Sequence, residues 1–105
     1  MRFSWDARKS NRNLEERGFD FEFATQIFDG ATLERVDSRR DYGERRVIAL
    51  GMAQDIPLTV VYTDRAEQGG EIDRRIVSAR KSSRREREAY KKATTTKESG
   101  SARSG

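Results

Sequence analysis

Neither histidine nor cysteine occurs among the 105 residues of this chain. Their absence removes imidazole acid–base chemistry, thiolate nucleophiles, disulfides and Cys- or His-ligated metal. Chemistry is left to Asp, Glu, Lys, Arg, Tyr, Ser and Thr, and the cations are unevenly spaced. Residues 1–73 hold 11 Lys/Arg and 15 Asp/Glu, a net of −4, whereas residues 74–105 hold 11 Lys/Arg and only 3 Asp/Glu, a net of +8. Arg74, Arg75, Lys81, Arg84, Arg85 and Arg87 are the candidates for phosphate contacts in that basic third, because guanidinium groups pair with phosphate oxygens and clustered cations attract polyanions. Nucleic acid is the leading partner class and an acidic protein the second.

The acids do not suggest a metal. Asp37, Asp41 and Glu44 are loosely spaced in a polar stretch and read as solvated loop charges. Gly43 and Gly51 lack the lysine and helix start of a phosphate loop. No metal or other cofactor is expected. Charged residues make up 38% of the chain, against about 25% in ordinary domains. The apolar set is 33%, enough for one small core and no large cavity. No apolar run approaches the ~20 residues of a membrane span, and Met1 to Asp6 lacks the apolar stretch of a secretion signal, so a soluble cytoplasmic protein is expected.

The elements that must position these groups can be read in order. Phe3-Ser4-Trp5 alternates as a strand does, and Asp6 caps a helix running to Arg17, with Gly18 as its exit and Ala7 and Leu14 as its apolar side. Asp20 caps a second helix carrying Phe21, Phe23, Ile27 and Phe28 as far as Asp29-Gly30. Leu33–Val36, Arg46–Leu50, Leu58–Thr63 and Ile72–Ala79 read as four strands in antiparallel hairpins, with loops over Gly51–Pro57 and Asp64–Gly70. A basic helix follows over 82–93, opened by a capping box of Ser83 and Glu86. Residues 94–105 form a polar tail with too little apolar surface to fold. The fold class is a small α+β domain over residues 1–93, an antiparallel sheet with two N-terminal helices and a basic C-terminal helix.

Over about residues 3–90 the chain resembles the BrnT toxins of bacterial type II toxin–antitoxin modules. The resemblance lies in Phe3, Trp5-Asp6, Lys9, Asn13, Gly18, Phe21-Glu22, Ala24, Phe28 and Asp29. It resumes at Arg46, Gly51, Val61-Tyr62-Thr63 and Arg65, and closes with Arg75-Ile76-Val77-Ser78-Ala79-Arg80, Glu86 and Tyr90. It implies a RelE-like fold, an RNA-cleaving activity that stops translation, and a BrnA-like antitoxin through which operator DNA is bound only indirectly. Glu16-Arg17-Gly18 stands where family members often carry Lys-His-Gly, and Tyr62 where many have histidine. No mechanism through those imidazoles operates here.

Metal-free RNA cleavage must remove the 2′-hydroxyl proton, stabilise the phosphorane and protonate the leaving 5′-oxygen. Arg46, Arg65 and Arg80, each near a strand terminus and each within the resemblance, are the expected stabilisers. Lys9, Glu86 and Tyr62 are the expected proton-transfer groups, with Tyr90 as a further donor. Each has a plainer reading: a capping residue for Glu86, a solvated charge for Lys9, a core ring for Tyr62, and ion pairs with Asp6, Asp64 or Asp73 for the arginines. Trp5 reads as a core anchor. The alternative to a nuclease is a non-catalytic basic module that binds nucleic acid or docks an antitoxin.

Overall fold

A computed structural model describes the backbone of residues 1–104 and the side chains through Thr95. Strands β1 (Arg2–Trp5), β2 (Leu33–Val36), β3 (Val47–Ala53), β4 (Ile56–Ala66) and β5 (Ile72–Lys81) form one sheet in the order β1-β5-β4-β3-β2. The sheet is mixed, not antiparallel throughout: β1 runs parallel to β5, with Phe3 opposite Arg74 and Trp5 opposite Ile76. A parallel partner requires a long crossover, which here runs over residues 6–71, so no local signal distinguishes the two directions.

Helix α1 (Ala7–Arg17) is bounded as its caps dictate. The Asp6 carboxylate accepts from the amides of Arg8 and Lys9, and Gly18 exits at φ 86°. Its docking is polar, contrary to the Ala7 and Leu14 reading: Leu14 is half exposed, while Ser10 and Asn13 are buried. The Phe21 amide donates to Ser10 Oγ (2.9 Å), Asn13 Nδ2 donates to the Phe19 carbonyl (2.9 Å), and Arg17 donates to Asn13 Oδ1 (3.2 Å). Arg17 also reaches the Ala79 carbonyl (3.0 Å), so α1 lies along β5 beyond the end of β1 and covers an edge that would otherwise be open.

The second helix is shorter than its apolar spacing predicts. Helix α2 covers only Phe21–Ala24 and tightens into a 3-10 segment over Thr25–Asp29. The tighter turn still buries Ile27 completely and sets Phe28 edge-on to Tyr62 at 5.4 Å and stacked on Phe3 at 5.6 Å. Against this layer the sheet presents Ala49, Gly51 and Ala53 of β3, Leu58, Val60 and Tyr62 of β4, and Ile76 and Ala79 of β5. The β3–β4 turn is only Gln54-Asp55, with Gln54 at φ 51°, so both strands extend into the loop expected over Gly51–Pro57. After β4, Gly69 and Gly70 both take positive φ, as their placement in a turn requires.

Helix α3 (Arg84–Ser104) begins at the expected capping box and continues past the Ala93 boundary. The side chains of 96–105 lie outside those described, and with them most of the expected polar tail. The helix packs on the opposite face of the sheet at its β3 side. There Tyr90 donates to the Ala31 carbonyl (2.8 Å) and the Thr59 and Ser82 hydroxyls share a buried hydrogen bond (2.8 Å). Farther along this face, Arg65, Ser78 and Arg80 remain exposed. Among the described residues no helix is long and apolar enough to cross a membrane.

Candidate active site

The open part of that face is where chemistry-bearing residues from four elements meet. Lys9 comes from the first turn of α1, Arg46 immediately precedes β3, Arg65 lies near the end of β4 and Arg75 lies in β5. These four line one cleft of about 270 Å³, together with Asp6, Glu44 and the β5 residues Ile76 and Val77. Strand register explains the meeting. Arg75 pairs with Thr63, and Val47 pairs with Tyr62, so Arg46 and Arg75 flank Thr63 on the same face. The Thr63 hydroxyl is spent on the Arg45 carbonyl (2.8 Å). A bulge places Val77 between the pairs Tyr62–Ile76 and Val61–Ser78, a distortion of the kind that re-aims side chains beside sites.

Arg46 is the best held of the cations. Its guanidinium lies 4.1 Å from the Tyr42 ring centroid and its Nε donates to Glu44 Oε2 at 3.0 Å. Glu44 Oε1 is also 3.9 Å from Arg65 Nη2, so one carboxylate lies between two guanidinium groups. The loop bearing Tyr42 and Glu44 is anchored by Asp37, whose buried carboxylate accepts twice from the Arg39 side chain (2.8 and 2.7 Å) and from Tyr42 Oη (3.1 Å). These bonds hold the Asp37 carboxyl well below the usual range, Arg39 first, against the opposing effect of burial. At the cleft's other side the Lys9 and Arg8 amides lower the pKa of Asp6, helped by the charges of Lys9 and Arg75.

The three arginines singled out in the sequence therefore separate into two and one. Arg46 and Arg65 share the cleft. Arg80 pairs with Thr59 rather than Thr63, four residues farther along β4 and roughly 13 Å away at about 3.3 Å per residue. It is bonded in two-pronged fashion to Glu86 (2.7 and 2.8 Å), which raises its pKa against the opposing effects of burial and the Arg39 charge. Their acidic partners are Glu44 and Glu86, not Asp6, Asp64 or Asp73.

Glu86 closes the expected capping box, accepting from the Ser83 amide (2.8 Å) while the Glu86 amide donates to Ser83 Oγ (3.2 Å). The Arg80 guanidinium and then the Ser83 amide pull its carboxyl down from 4.5 to about 2, despite partial burial. A depressed carboxyl stabilises the fold above its unfolded pKa and loses that contribution as pH falls toward the folded value. Glu86→Gln is expected to lower the melting temperature at neutral pH and to flatten its decline between about pH 4.5 and 2, which melting curves across that range will read.

Tyr62 faces the other way, into the helix-covered core. Its hydroxyl donates to Glu34 Oε1, and burial followed by that bond pushes its pKa up. Arg74 lies on the same side, 3.9 Å from the Tyr62 ring centroid, and pairs with Asp64 through two bonds (2.8 and 2.9 Å). Of the residues proposed for phosphate contact, only Arg75 reaches the cleft. Lys81 is exposed at the end of β5, Arg84 pairs with Glu88 (3.2 Å), Arg85 lines an apolar groove with Leu33, Ile48, Leu50 and Ala89, and Arg87 donates to the Ser82 carbonyl (2.9 Å). Trp5 packs against the core as expected.

Glu44 and Asp37, read as solvated loop charges, are instead bonded, with side chains largely covered, and Tyr42 was not anticipated, because nothing local marks a charged loop as folding over a sheet. The one available sign was Glu44 standing two residues before Arg46, a spacing that puts both side chains on one side of extended backbone. Among the described residues, no three carboxylates gather in a way that would hold an ion.

The profile of a family described as "Ribonuclease toxin, BrnT, of type II toxin-antitoxin system" matches residues 5–86. The chain belongs to this BrnT family. It is accordingly a ribonuclease toxin of a type II toxin–antitoxin system, a class of protein with an antitoxin partner. All four cations of the cleft, together with Arg80 and Glu86, fall within the residues matched by the BrnT family, whereas most of α3 lies beyond them. A comparison with curated proteins returns no match.

Proposed function

We propose that the cleft of Lys9, Arg46, Arg65 and Arg75 grips the scissile phosphodiester of an RNA strand and cleaves it by metal-independent transesterification to a 2′,3′-cyclic phosphate and a 5′-hydroxyl. The observation that carries this reading is the convergence of four cations from four separate elements on one small cleft. A phosphorane carries more negative charge on its oxygens than the diester, so donors fixed around it in advance stabilise the transition state more than the ground state. Arg46 and Arg65 serve as the paired donors, Arg75 and Lys9 complete the cationic wall, and Arg80 with the exposed cations of α3 guides the flanking strand.

The donor set supports the metal-free route. Asp6 is occupied by the amides of α1, and the four cations of the cleft would repel a divalent ion from it and from Glu44. A BrnA-like antitoxin that covers this face would block RNA through the same charges, with operator DNA bound only through that partner. The layout of one sheet with helices before it and a basic helix after it is in keeping with a RelE-like arrangement, and the site of action is the cytoplasm.

Purified protein incubated with end-labelled RNA in EDTA, with and without ribosomes, tests the reading. Fragments ending in cyclic phosphate are expected. Intact RNA in both conditions, bound tightly and released steeply by salt, would assign the cleft to a non-catalytic binding module instead.

A further inference from the structure

The proposed reaction requires a group to take the 2′-hydroxyl proton, and none of the groups first considered for it is placed to do so except Lys9. Glu86 is bonded to Arg80 at the far end of the face, Tyr62 is buried on the opposite side, and Tyr90 is spent on the Ala31 carbonyl. Lys9 in its ammonium form has no lone pair, and arginine keeps its proton throughout. Two carboxylates line the cleft, and Asp6 is committed to the N-terminus of α1. Glu44 is the other.

Resting on the reading above, we propose that Glu44 is the proton acceptor for the attacking 2′-hydroxyl. Its carboxylate is bonded to Arg46 at 3.0 Å and lies 3.9 Å from Arg65, the two arginines that would bind the phosphate, which places a base beside the reacting group. It is held there from both sides. Before it, the Gly43 amide donates to Asp41 Oδ1 (2.9 Å) in a positive-φ turn, and the neighbouring Tyr42 is tied to Asp37. After it, Arg46 is stacked on Tyr42. The 2′-oxygen gives its proton to a Glu44 oxygen and forms a bond to phosphorus, the bond from phosphorus to the 5′-oxygen breaks, and that oxygen takes a proton from the Lys9 ammonium. Exchange with water then returns the proton of Glu44 and replaces that of Lys9.

The test compares wild type, E44Q and E44D on one end-labelled RNA, free and ribosome-bound, reading cleavage rate against pH, RNA affinity and melting temperature. The proposal expects E44Q to fold, to bind RNA at least as tightly because a negative charge has gone, and to cleave about 10²- to 10⁴-fold more slowly without the acid limb of the wild-type pH profile. E44D, which keeps the carboxylate on a shorter stem, should retain that limb at a reduced rate. Cleavage by E44Q within a few-fold of wild type, with the limb unchanged, would overturn the proposal and send the proton to a phosphate oxygen or solvent. Joint loss of binding and cleavage would overturn it too, reducing Glu44 to a prop for the arginines. Intact RNA with wild type under both conditions would instead reject the nuclease reading itself, and this role with it.

Discussion

Arg46→Ala is expected to lower RNA cleavage by about two to three orders of magnitude, the loss of ~3–4 kcal/mol that follows removal of one preorganised donor to a developing anion. Arg46 earns this rank over Arg65 by the way it is held. Stacked on Tyr42 and bonded to Glu44, it has little freedom left to lose when a phosphate arrives, whereas Arg65 is 3.9 Å from its carboxylate and its side chain is 61% exposed. Arg65→Ala should therefore cost less. Arg46→Lys should restore little, since an ammonium supplies neither the flat stacking surface nor the paired donors. The fold should survive, because Arg46 precedes β3 and is not among the buried apolar residues of the core, and a melting temperature close to that of wild type would establish that catalysis alone was lost. Growth arrest in cells should disappear in parallel. Undiminished cleavage by the Arg46→Ala, Arg65→Ala double variant would place the reaction elsewhere on the molecule.

The largest expected loss of stability lies on the other side of the sheet, at Gly51. This residue sits in β3 opposite Leu58, with Ile27 of the 3-10 segment packed against it. A Cβ at Gly51 would stand 2.8 Å from Ile27 Cβ, 3.2 Å from Thr32 Cγ2 and 3.4 Å from the Ile27 carbonyl oxygen. Ile27 is fully buried and the offending atom is at the root of its side chain, so the collision cannot be relieved by a rotamer change. Overpacking of this kind costs about 1–3 kcal/mol. For a domain of this size, each kcal/mol corresponds to roughly 4–8 °C in melting temperature. Gly51→Ala should show that drop and Gly51→Val a larger one. Gly30→Ala is the matched control: nothing lies within 4 Å of its added Cβ and its φ is −126°, so its melting temperature should hardly move.

Where a signal depends on neighbours in the chain, it could be read directly. Asp6 and Gly18 bound α1, Ser83 and Glu86 open α3, Leu33–Val36 is β2 to the residue, and Gly69-Gly70 makes a turn. The β3–β4 hairpin was expected, but its tight turn escaped because it uses Gln54 in the left-handed region, where glycine or asparagine would have announced it. The division of the helix over 20–29 into α and 3-10 turns escaped because the two share nearly the same apolar spacing over so short a run.

Sequence alone determined the chemical vocabulary of this protein: no imidazole, no thiol, an excess of cations toward the C-terminus, and caps and turns marking most of its elements. Tertiary structure decided which of those cations work together. Register between strands far apart in the chain put Arg46 and Arg75 beside Thr63 and carried Arg80 some four residues away, while a loop anchored at Asp37 brought Glu44 over the sheet. Caps and turns are set by interactions a few residues apart, and so can be read in one dimension. A cleft built from α1, β4, β5 and the loop before β3 exists only once contacts separated by tens of residues have formed.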